Sequence, residues 1–120
     1  MNEPNKTQAW MQAYVHAWAS SQPDDIRALF TSAAAYRTTP FAEPWQGVES
    51  IVEGWIARGD QPDNWTFRYE VVIDSPPLAV VRGWTSYKDP PREYSNIFLI
   101  EFGDGQQASS FTEWWMQAPE

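Results

Sequence analysis

The sequence predicts an α+β fold of three helices and a mostly antiparallel sheet. Helical spacing of apolar residues dominates residues 7–58, and strand-like alternation dominates residues 65–116. Such segregation of helices and strands is typical of α+β domains. The predicted order of elements is α-α-β-α-β-β-β-β. At 120 residues, a single domain spanning 1–120 is expected.

Three helices are predicted where apolar residues recur three and four positions apart. The first covers 7–20, and its apolar face comprises Trp10, Met11, Tyr14, Val15 and Trp18. A short second helix begins at Pro23, because proline and the two acidic residues that follow favour a first helical turn. The third covers 48–58, and Gly59 is placed to end it.

Five strands are predicted, one before the third helix and four after it. The first covers 34–40 and ends at Pro40. Apolar and polar residues then alternate from Trp65 to Ile73, which indicates a strand with one buried face. Further strands are predicted at about 78–87, 94–102 and 107–116, separated by turn sequences such as Gly103-Asp104-Gly105. Because consecutive strands are joined by short turns, they are predicted to pair as an antiparallel meander.

Composition excludes several classes of function. A net charge of −8 repels a phosphate backbone, so we expect no nucleic-acid partner. No apolar run approaches the ~18 residues of a membrane span, and residues 1–7 are too polar for a signal peptide, so we expect a cytoplasmic protein. The absence of cysteine excludes disulfides, and the single histidine, His16, excludes a multi-histidine metal centre. We expect neither a metal nor a cofactor.

Several strings, in this order, resemble the NTF2-like superfamily and its SnoaL-like branch in particular. They are Ala28-Leu29-Phe30 before Tyr36, then Glu43-Pro44-Trp45-Gln46-Gly47 before the helix 48–55, then Tyr94-Ser95-Asn96, and the closing run 111–116. The resemblance covers nearly the whole chain. It implies a small cone-shaped domain, in which a curved sheet wraps around helices and a pocket opens inside. It implies no single reaction, because the superfamily includes isomerases, cyclases, hydrolases, dehydratases and non-catalytic dimerising domains.

The resemblance and the strand alternation together predict which residues face the pocket, provided that no bulge shifts a register. The candidate ligand-binding residues are Tyr14, Tyr36, Thr38, Arg82, Trp84, Tyr94, Asn96 and Trp114. Tryptophan and tyrosine supply rigid walls with one polar atom each, which suits a ring-shaped or carbonyl-bearing ligand. Arg82 is the predicted anchor, because a guanidinium in the middle of a sheet needs a polar partner. The alternatives for Arg82 are an ion pair with a helix carboxylate and an outward position.

The acidic residues that carry out the best-known reactions of the superfamily have no counterparts at the matching positions of this sequence. By resemblance, an isomerase-like site would combine Tyr14 with a carboxylate base, but Thr38-Thr39-Pro40 stands at the base position and Phe98 near that of the second donor. A hydrolase-like site needs an acid two residues after Arg82, where Trp84 stands. His16 points away from the inward face of its helix and is expected on the surface.

The outer sheet face is also predicted to be apolar. It would carry Val81, Ile97, Leu99, Phe111 and Trp115, mixed with Glu101 and Glu113. A sheet with two apolar faces needs a cover on the second one. We therefore predict a two-fold homodimer through this face.

Three functions remain open on the sequence. The first is an aromatic-lined pocket that binds a small molecule. The second is a cyclase, isomerase, dehydratase or hydrolase acting on a polyketide- or steroid-like compound, which needs Glu43, Asp74 or Glu113 to lie inside the pocket. The third is a non-catalytic dimerisation module whose aromatic residues form only core and interface.

Overall fold

The computed structural model describes residues 6–59, 61–103 and 105–119, which form three helices and one six-stranded sheet. The helices are α1 (Lys6–Ser20), α2 (Pro23–Arg27) and α3 (Val48–Arg58). The strands are β1 (Phe30–Arg37), β2 (Trp45–Gln46), β3 (Trp65–Ser75), β4 (Leu78–Lys88), β5 (Pro91–Phe102) and β6 (Ala108–Gln117). The predicted α+β class is confirmed, and the short β2 and a 3-10 turn at Pro62–Asn64 are additions to the predicted order.

The strands lie in the order β2-β1-β6-β5-β4-β3. β3 to β6 form the predicted antiparallel meander, and β1 joins it by running parallel to β6. The apolar stripe of α1 packs on the inner face of the sheet, and this contact buries both surfaces. Within the described residues, no helix combines the length and the apolarity needed to cross a membrane.

Aromatic rings build most of the core between α1 and the sheet. Trp10 is buried, and its indole Nε1 donates a hydrogen bond of 2.9 Å to the carbonyl of Leu29, so its one polar atom is satisfied. Its ring contacts Phe30, Phe102 and Phe111 at centroid distances of 5.9, 6.3 and 5.9 Å. The tryptophan-rich composition is therefore partly a core feature.

A β-bulge in β3 sets which side of β4 faces the core. The hairpin pairs Ser75 with Leu78, but the register shifts between Val71 and Ile73, so that Val71 pairs with Val81. The extra residue inverts the alternation of the rest of β4 relative to β3. The prediction that Arg82 and Trp84 face inward is therefore wrong, and the inner face of β4 carries Ala79, Val81, Gly83, Thr85 and Tyr87.

A second bulge, in β6, has the same effect on the last strand. Phe102 pairs with Ala108, whereas Glu101 pairs with Ser110, so Ser109 is the extra residue. Beyond it, Phe111, Glu113 and Trp115 face inward. The prediction that Trp114 faces the pocket is therefore wrong.

The outer sheet face mixes apolar with charged side chains, as predicted, but its membership differs. Val81, Phe111 and Trp115 had been expected there and lie on the inner face instead. Ile97 and Leu99 do lie on the outer face, where the inverted strands add four residues, so that the apolar patch consists of Val80, Trp84, Ile97, Leu99, Trp114 and Met116. We call this set the outer patch.

Candidate functional site

A cavity of about 520 Å³ opens between the helices and the inner face of the sheet. Its walls come from α1, α3, the end of β1, β2, and the halves of β4, β5 and β6 that lie farthest from Phe102. Nine aromatic rings line it: Tyr14, Trp18, Tyr36, Trp45, Trp55, Tyr87, Tyr94, Phe98 and Trp115. Its polar lining residues are Ser21, Thr38, Thr39, Arg58, Thr85, Arg92, Asn96 and Glu113.

Two phenols meet at the buried side of this cavity. Tyr14 and Tyr36 are 6 % and 3 % exposed, and a side-chain hydrogen bond joins them. Burial raises the pKa of Tyr14 well above its ordinary value of 10.0, and the nearby Tyr36 and Glu113 act in the same direction. Tyr14 is therefore a neutral phenol throughout the physiological pH range.

The raised pKa of Tyr14 predicts a specific loss of stability in alkali. Above pH 10 the unfolded chain releases the Tyr14 proton while the folded chain keeps it, so the free energy of unfolding falls as the pH rises. The contribution is at most about 1.4 kcal/mol per pH unit. Urea unfolding between pH 9.5 and 11 should show a shallower decline for Tyr14→Phe than for the parent chain. Equal slopes would contradict the assignment.

A hydrogen-bonded chain of three side chains crosses β4, β5 and β6. The Thr85 hydroxyl donates to Asn96 Oδ1 at 2.8 Å, and Asn96 Nδ2 donates to Glu113 Oε2 at 2.8 Å. Thr85 and Asn96 are 3 % and 5 % exposed, and Glu113 is half-buried. The chain places an oriented carboxyl group in the cavity wall.

Two arginines lie at the rim of the cavity. Arg92 stacks over the Tyr87 ring, 4.2 Å from its centroid, and its Nε donates to the Tyr94 hydroxyl at 3.2 Å. Arg58 belongs to the last turn of α3 and is exposed. The rim is thus cationic, whereas the deeper wall holds a carboxyl group.

The part of the cavity wall that Trp45 forms depends on Gly54 in α3. The Trp45 ring stacks on Tyr36 with centroids 5.0 Å apart, and it also lies against Gly54. A Cβ at position 54 would stand 2.6 Å from Trp45 Cδ2, which real contacts do not allow. The missing side chain of Gly54 is what lets the indole pack between the helix and Tyr36.

We therefore expect Gly54→Ala to destabilise the fold, although this change in a helix normally stabilises by about 0.5–1 kcal/mol. The displaced indole should make the cost about 1–3 kcal/mol, measured by urea unfolding. In a Trp45→Ala background the same change should turn stabilising, because the clash is gone. A stabilising effect in both backgrounds would show that the ring does not rest on Gly54.

Five of the eight predicted site residues line the cavity, namely Tyr14, Tyr36, Thr38, Tyr94 and Asn96. The other three, Arg82, Trp84 and Trp114, lie on the opposite face of the sheet, because the bulges in β3 and β6 change the side-chain alternation. Arg82 is no buried anchor: its side chain is 52 % exposed and lies 3.5 Å from Glu70 across the strands. The outward alternative is the correct one.

Residues that the sequence did not assign to the site include its carboxyl group and part of its aromatic wall. Glu113 and Trp115 were expected on the outer face, and Trp18 was assigned only to the apolar face of the first helix. Cross-strand pairing could have corrected Arg82, because Arg82 lies opposite Glu70 and Arg68 opposite Trp84, which fits an exposed face. No such signal in the sequence marks Glu113, whose side depends on the bulge at Ser109.

Other candidate groups lie outside the cavity. Glu43 is exposed, and Asp74 accepts a hydrogen bond from the Thr7 hydroxyl at 2.8 Å. His16 lies on the surface, as predicted, 3.3 Å from the Asp25 carboxylate. In the part of the chain that the structure describes, no group of three or more acidic or histidine side chains could hold a metal ion.

Comparison with known proteins agrees with this architecture. A family model described as a SnoaL-like domain matches residues 11–110. The chain is similar to an NTF-2 like protein of unknown function from Burkholderia xenovorans, with a TM-score of 0.76 and 16 % identity over 96 % of this chain and 86 % of that one. It is also similar to a ketosteroid isomerase-like protein from Erwinia carotovora atroseptica, with a TM-score of 0.60 and 21 % identity over 92 % and 93 %.

A third similar structure is an LEH-like epoxide hydrolase from M. tuberculosis, with a TM-score of 0.70 and 9 % identity over 92 % of this chain and 83 % of that one. Identities this low show a shared fold and nothing about the reaction. No curated protein matches the chain.

Proposed function

This chain belongs to the SnoaL-like domain family, and from that premise we propose that it binds a small ring-shaped or carbonyl-bearing molecule in its cavity. The observation that carries the proposal is the cavity itself, about 520 Å³ in volume and lined by nine aromatic rings. Small-molecule sites are typically concave, mostly apolar and about 300–1,000 Å³ in volume, with a few polar groups that set orientation. Ring walls of this kind suit a flat ligand.

The polar groups fall where they could orient such a ligand. The joined phenols of Tyr14 and Tyr36 lie at the buried side, where a hydroxyl would meet a ligand carbonyl. Thr38, Tyr94 and Asn96 add hydrogen-bonding groups along the walls. The ligand's ring would then lie between the indoles of α1 and α3 and the inner face of the sheet.

Titration with 2-naphthylmethanol, a neutral bicyclic probe, tests this function by calorimetry and ligand-observed NMR. Trp115→Ala should weaken binding about tenfold, because Trp115 lines the cavity. Trp114→Ala is the matched control, since Trp114 is similarly exposed but lies on the outer patch. If the probe does not bind, or if both variants act alike, the proposed site is wrong, and dimerisation alone remains as the role.

A second candidate function is proton transfer to and from a bound carbon acid. The observation that favours it is Glu113, an acid inside the cavity that faces the same space as the neutral Tyr14 phenol. A carboxylate can take a proton next to a carbonyl while phenols stabilise the oxyanion that forms. This arrangement differs from the isomerase-like one, because Thr38 still stands where that base would be.

This candidate is tested by the exchange, in deuterated buffer, of the protons next to the carbonyl group of 2-tetralone. The protein should accelerate deuterium uptake above the buffer rate, followed by proton NMR, and Glu113→Gln should abolish the acceleration. Glu101→Gln is the control, because Glu101 is an exposed acid on the outer sheet face. Equal rates for the parent chain and Glu113→Gln would exclude Glu113 as the base.

We further propose that two copies of the chain pair through the outer patch. Ile97, Trp114 and Met116 are 37 %, 42 % and 74 % exposed in the single chain, next to the half-buried Val80, Trp84 and Leu99. Arg68 stacks on Trp84 at the β3 side of this patch, whereas Arg82 lies within the patch, opposite Ile97 and beside Glu70. Tryptophan, methionine and arginine side chains are enriched in interfaces between proteins. A monomer mass in light scattering at micromolar concentration would contradict the dimer.

A further inference from the structure

Arg92 lies at the rim of the cavity, and its guanidinium is held in one orientation. β5 pairs Arg92 with Tyr87 of β4, and the guanidinium carbon lies 4.2 Å from the centroid of the Tyr87 ring. Its Nε donates a hydrogen bond of 3.2 Å to the Tyr94 hydroxyl, and Nη1 donates one of 3.3 Å to the carbonyl of Pro90. Arg92 is half-buried, so these contacts orient a cation that water only partly surrounds.

In the part of the chain that the structure describes, no carboxylate forms an ion pair with Arg92. The neighbouring acid, Glu93, lies on the outer sheet face, where it accepts a hydrogen bond of 3.2 Å from the Ser86 hydroxyl. A guanidinium has five N–H groups, and the bonds to Tyr94 and Pro90 use two of them, so the others remain on Nη1 and Nη2. Two such nitrogens can bind both oxygens of a carboxylate.

The other charged groups of the cavity lie elsewhere on its wall. Glu113 pairs with Phe98, which is six residues from Arg92 along β5, roughly 20 Å of strand at about 3.3 Å per residue. At physiological ionic strength the Debye length is about 8 Å, so the charge state of Glu113 has little effect on an anion bound to Arg92. Arg58 ends α3 and makes an interaction of its own. The environment of Arg92 is therefore separate from that of Glu113.

The rings next to Arg92 provide a surface for the rest of a ligand. Tyr94 contacts Tyr87 on one side and Trp115 on the other, in both cases edge to face with centroids 5.7 Å apart. All three rings line the cavity. Because the Tyr94 hydroxyl contacts the guanidinium, a ligand ring that packs on Tyr94 brings a short acidic side arm within reach of Arg92.

We propose that the cavity binds ring-bearing carboxylic acids in their ionised form, with Arg92 as the anchor of the carboxylate and Tyr94 as its positioning residue. This inference rests on the proposed ligand-binding function and names the class of ligand. The ring would lie on the aromatic wall, and both carboxylate oxygens would accept hydrogen bonds from Arg92. The net charge of −8 repels anions at long range, so the preference comes from contact with Arg92 and not from the overall field.

Three probes that share one ring system test the proposal: 2-naphthylacetic acid, its neutral amide and 2-naphthylmethanol, compared by calorimetry at pH 7 and about 0.15 M salt. The acid is ionised at this pH, and the amide has nearly the same shape without the charge. We expect the acid to bind about tenfold tighter than the amide. Arg92→Gln should reduce the acid to the level of the amide and leave the affinity of both neutral probes unchanged.

Arg68→Gln is the matched control. Arg68 also stacks over an aromatic ring, 4.0 Å from the centroid of Trp84, but it lies on the outer sheet face. Its loss makes the same change in net charge and should leave the ratio of acid to amide affinity unchanged. Tyr94→Phe keeps the ring but removes the hydroxyl that accepts from Arg92 Nε, so this ratio should fall while amide affinity stays constant. An unchanged ratio would contradict the positioning role of Tyr94.

The failure of this inference can be told from the failure of the binding function. If the neutral probes bind but the acid is not preferred, or if Arg92→Gln keeps the preference, the inference is overturned and the binding function stands. If Arg68→Gln abolishes the preference as fully as Arg92→Gln, overall charge is its cause, and the inference is again overturned. If none of the three probes binds, the proposed function fails, and the inference fails with it.

Discussion

Phe111→Ala should lower the free energy of unfolding by about 3–5 kcal/mol, one of the largest losses that a single change in this chain can cause. Phe111 is 0 % exposed, and its ring lies 4.6 Å from Tyr36, 5.0 Å from Phe98 and 5.6 Å from Tyr14, measured between centroids. Removing it opens a cavity beneath the phenol pair that rigid rings cannot close. The loss is a large part of the 5–15 kcal/mol typical of a domain.

Urea and thermal unfolding measure this effect, and the midpoint of thermal unfolding should fall by roughly 12–20 °C. Phe41→Ala is the matched control, because Phe41 is 101 % exposed and should change stability by less than about 0.5 kcal/mol. The comparison also tests the bulge in β6. Without that bulge Phe111 would face outward, and its loss would affect dimer mass rather than stability.

Trp114→Glu should convert the proposed dimer into a monomer. Trp114 lies on the outer patch next to Ile97, and a charge there would have to be buried in the interface without a partner. Loss of a central tryptophan from an interface typically costs about 2–4 kcal/mol, which corresponds to a roughly 30- to 1,000-fold weaker association. Sedimentation or light scattering across a concentration series gives the dissociation constant.

Trp115→Glu is the matched control for this change. The two tryptophans are adjacent and similarly exposed, at 42 % and 49 %, but Trp115 belongs to the cavity. The Trp115 variant should remain a dimer and lose affinity for the naphthyl probes. If Trp115→Glu dissociates the dimer and Trp114→Glu does not, the assignment of the two sheet faces is reversed.

The architecture could be predicted because its signals are local. The spacing of Val48, Ile51, Val52 and Trp55 specifies α3 from neighbouring residues alone, and the observed bounds match those predicted. The alternation from Trp65 to Val71 likewise shows which side of β3 is buried. Tyr14 was placed in the cavity correctly by its helical spacing, and Asn96 by the regular alternation of β5 from Tyr94 to Ile100. Tyr36 lies beyond the irregularity between Phe30 and Ala35 in β1, so its side was also predicted correctly.

The side of β6 could not be predicted because it depends on one unpaired residue. The side of β4 changes relative to β3 for the same reason, and its unbroken pairing with β5 places Arg82 on the face of Ile97 rather than on that of Asn96. A strand has a side-chain period of two, so a single bulged residue moves every later side chain to the other face. Val72 and Ser109 carry no local feature that marks them as bulges. Arg82 thus became an interior anchor in the prediction and Glu113 an exterior acid, although both strands themselves were correctly located.

The same two bulges make the chain unequally tolerant of different kinds of genetic change. A substitution at Val72 or Ser109 alters one exposed or half-buried side chain, whereas deletion of either codon would change the side of every residue between the bulge and the next turn. In β3 this segment is short, Ile73 to Ser75, because unbroken pairing with β5 holds β4 in place. In β6 the segment includes Glu113 and Trp114, so deletion of Ser109 would exchange a cavity residue and an outer-patch residue, whereas point mutations alter the two faces independently.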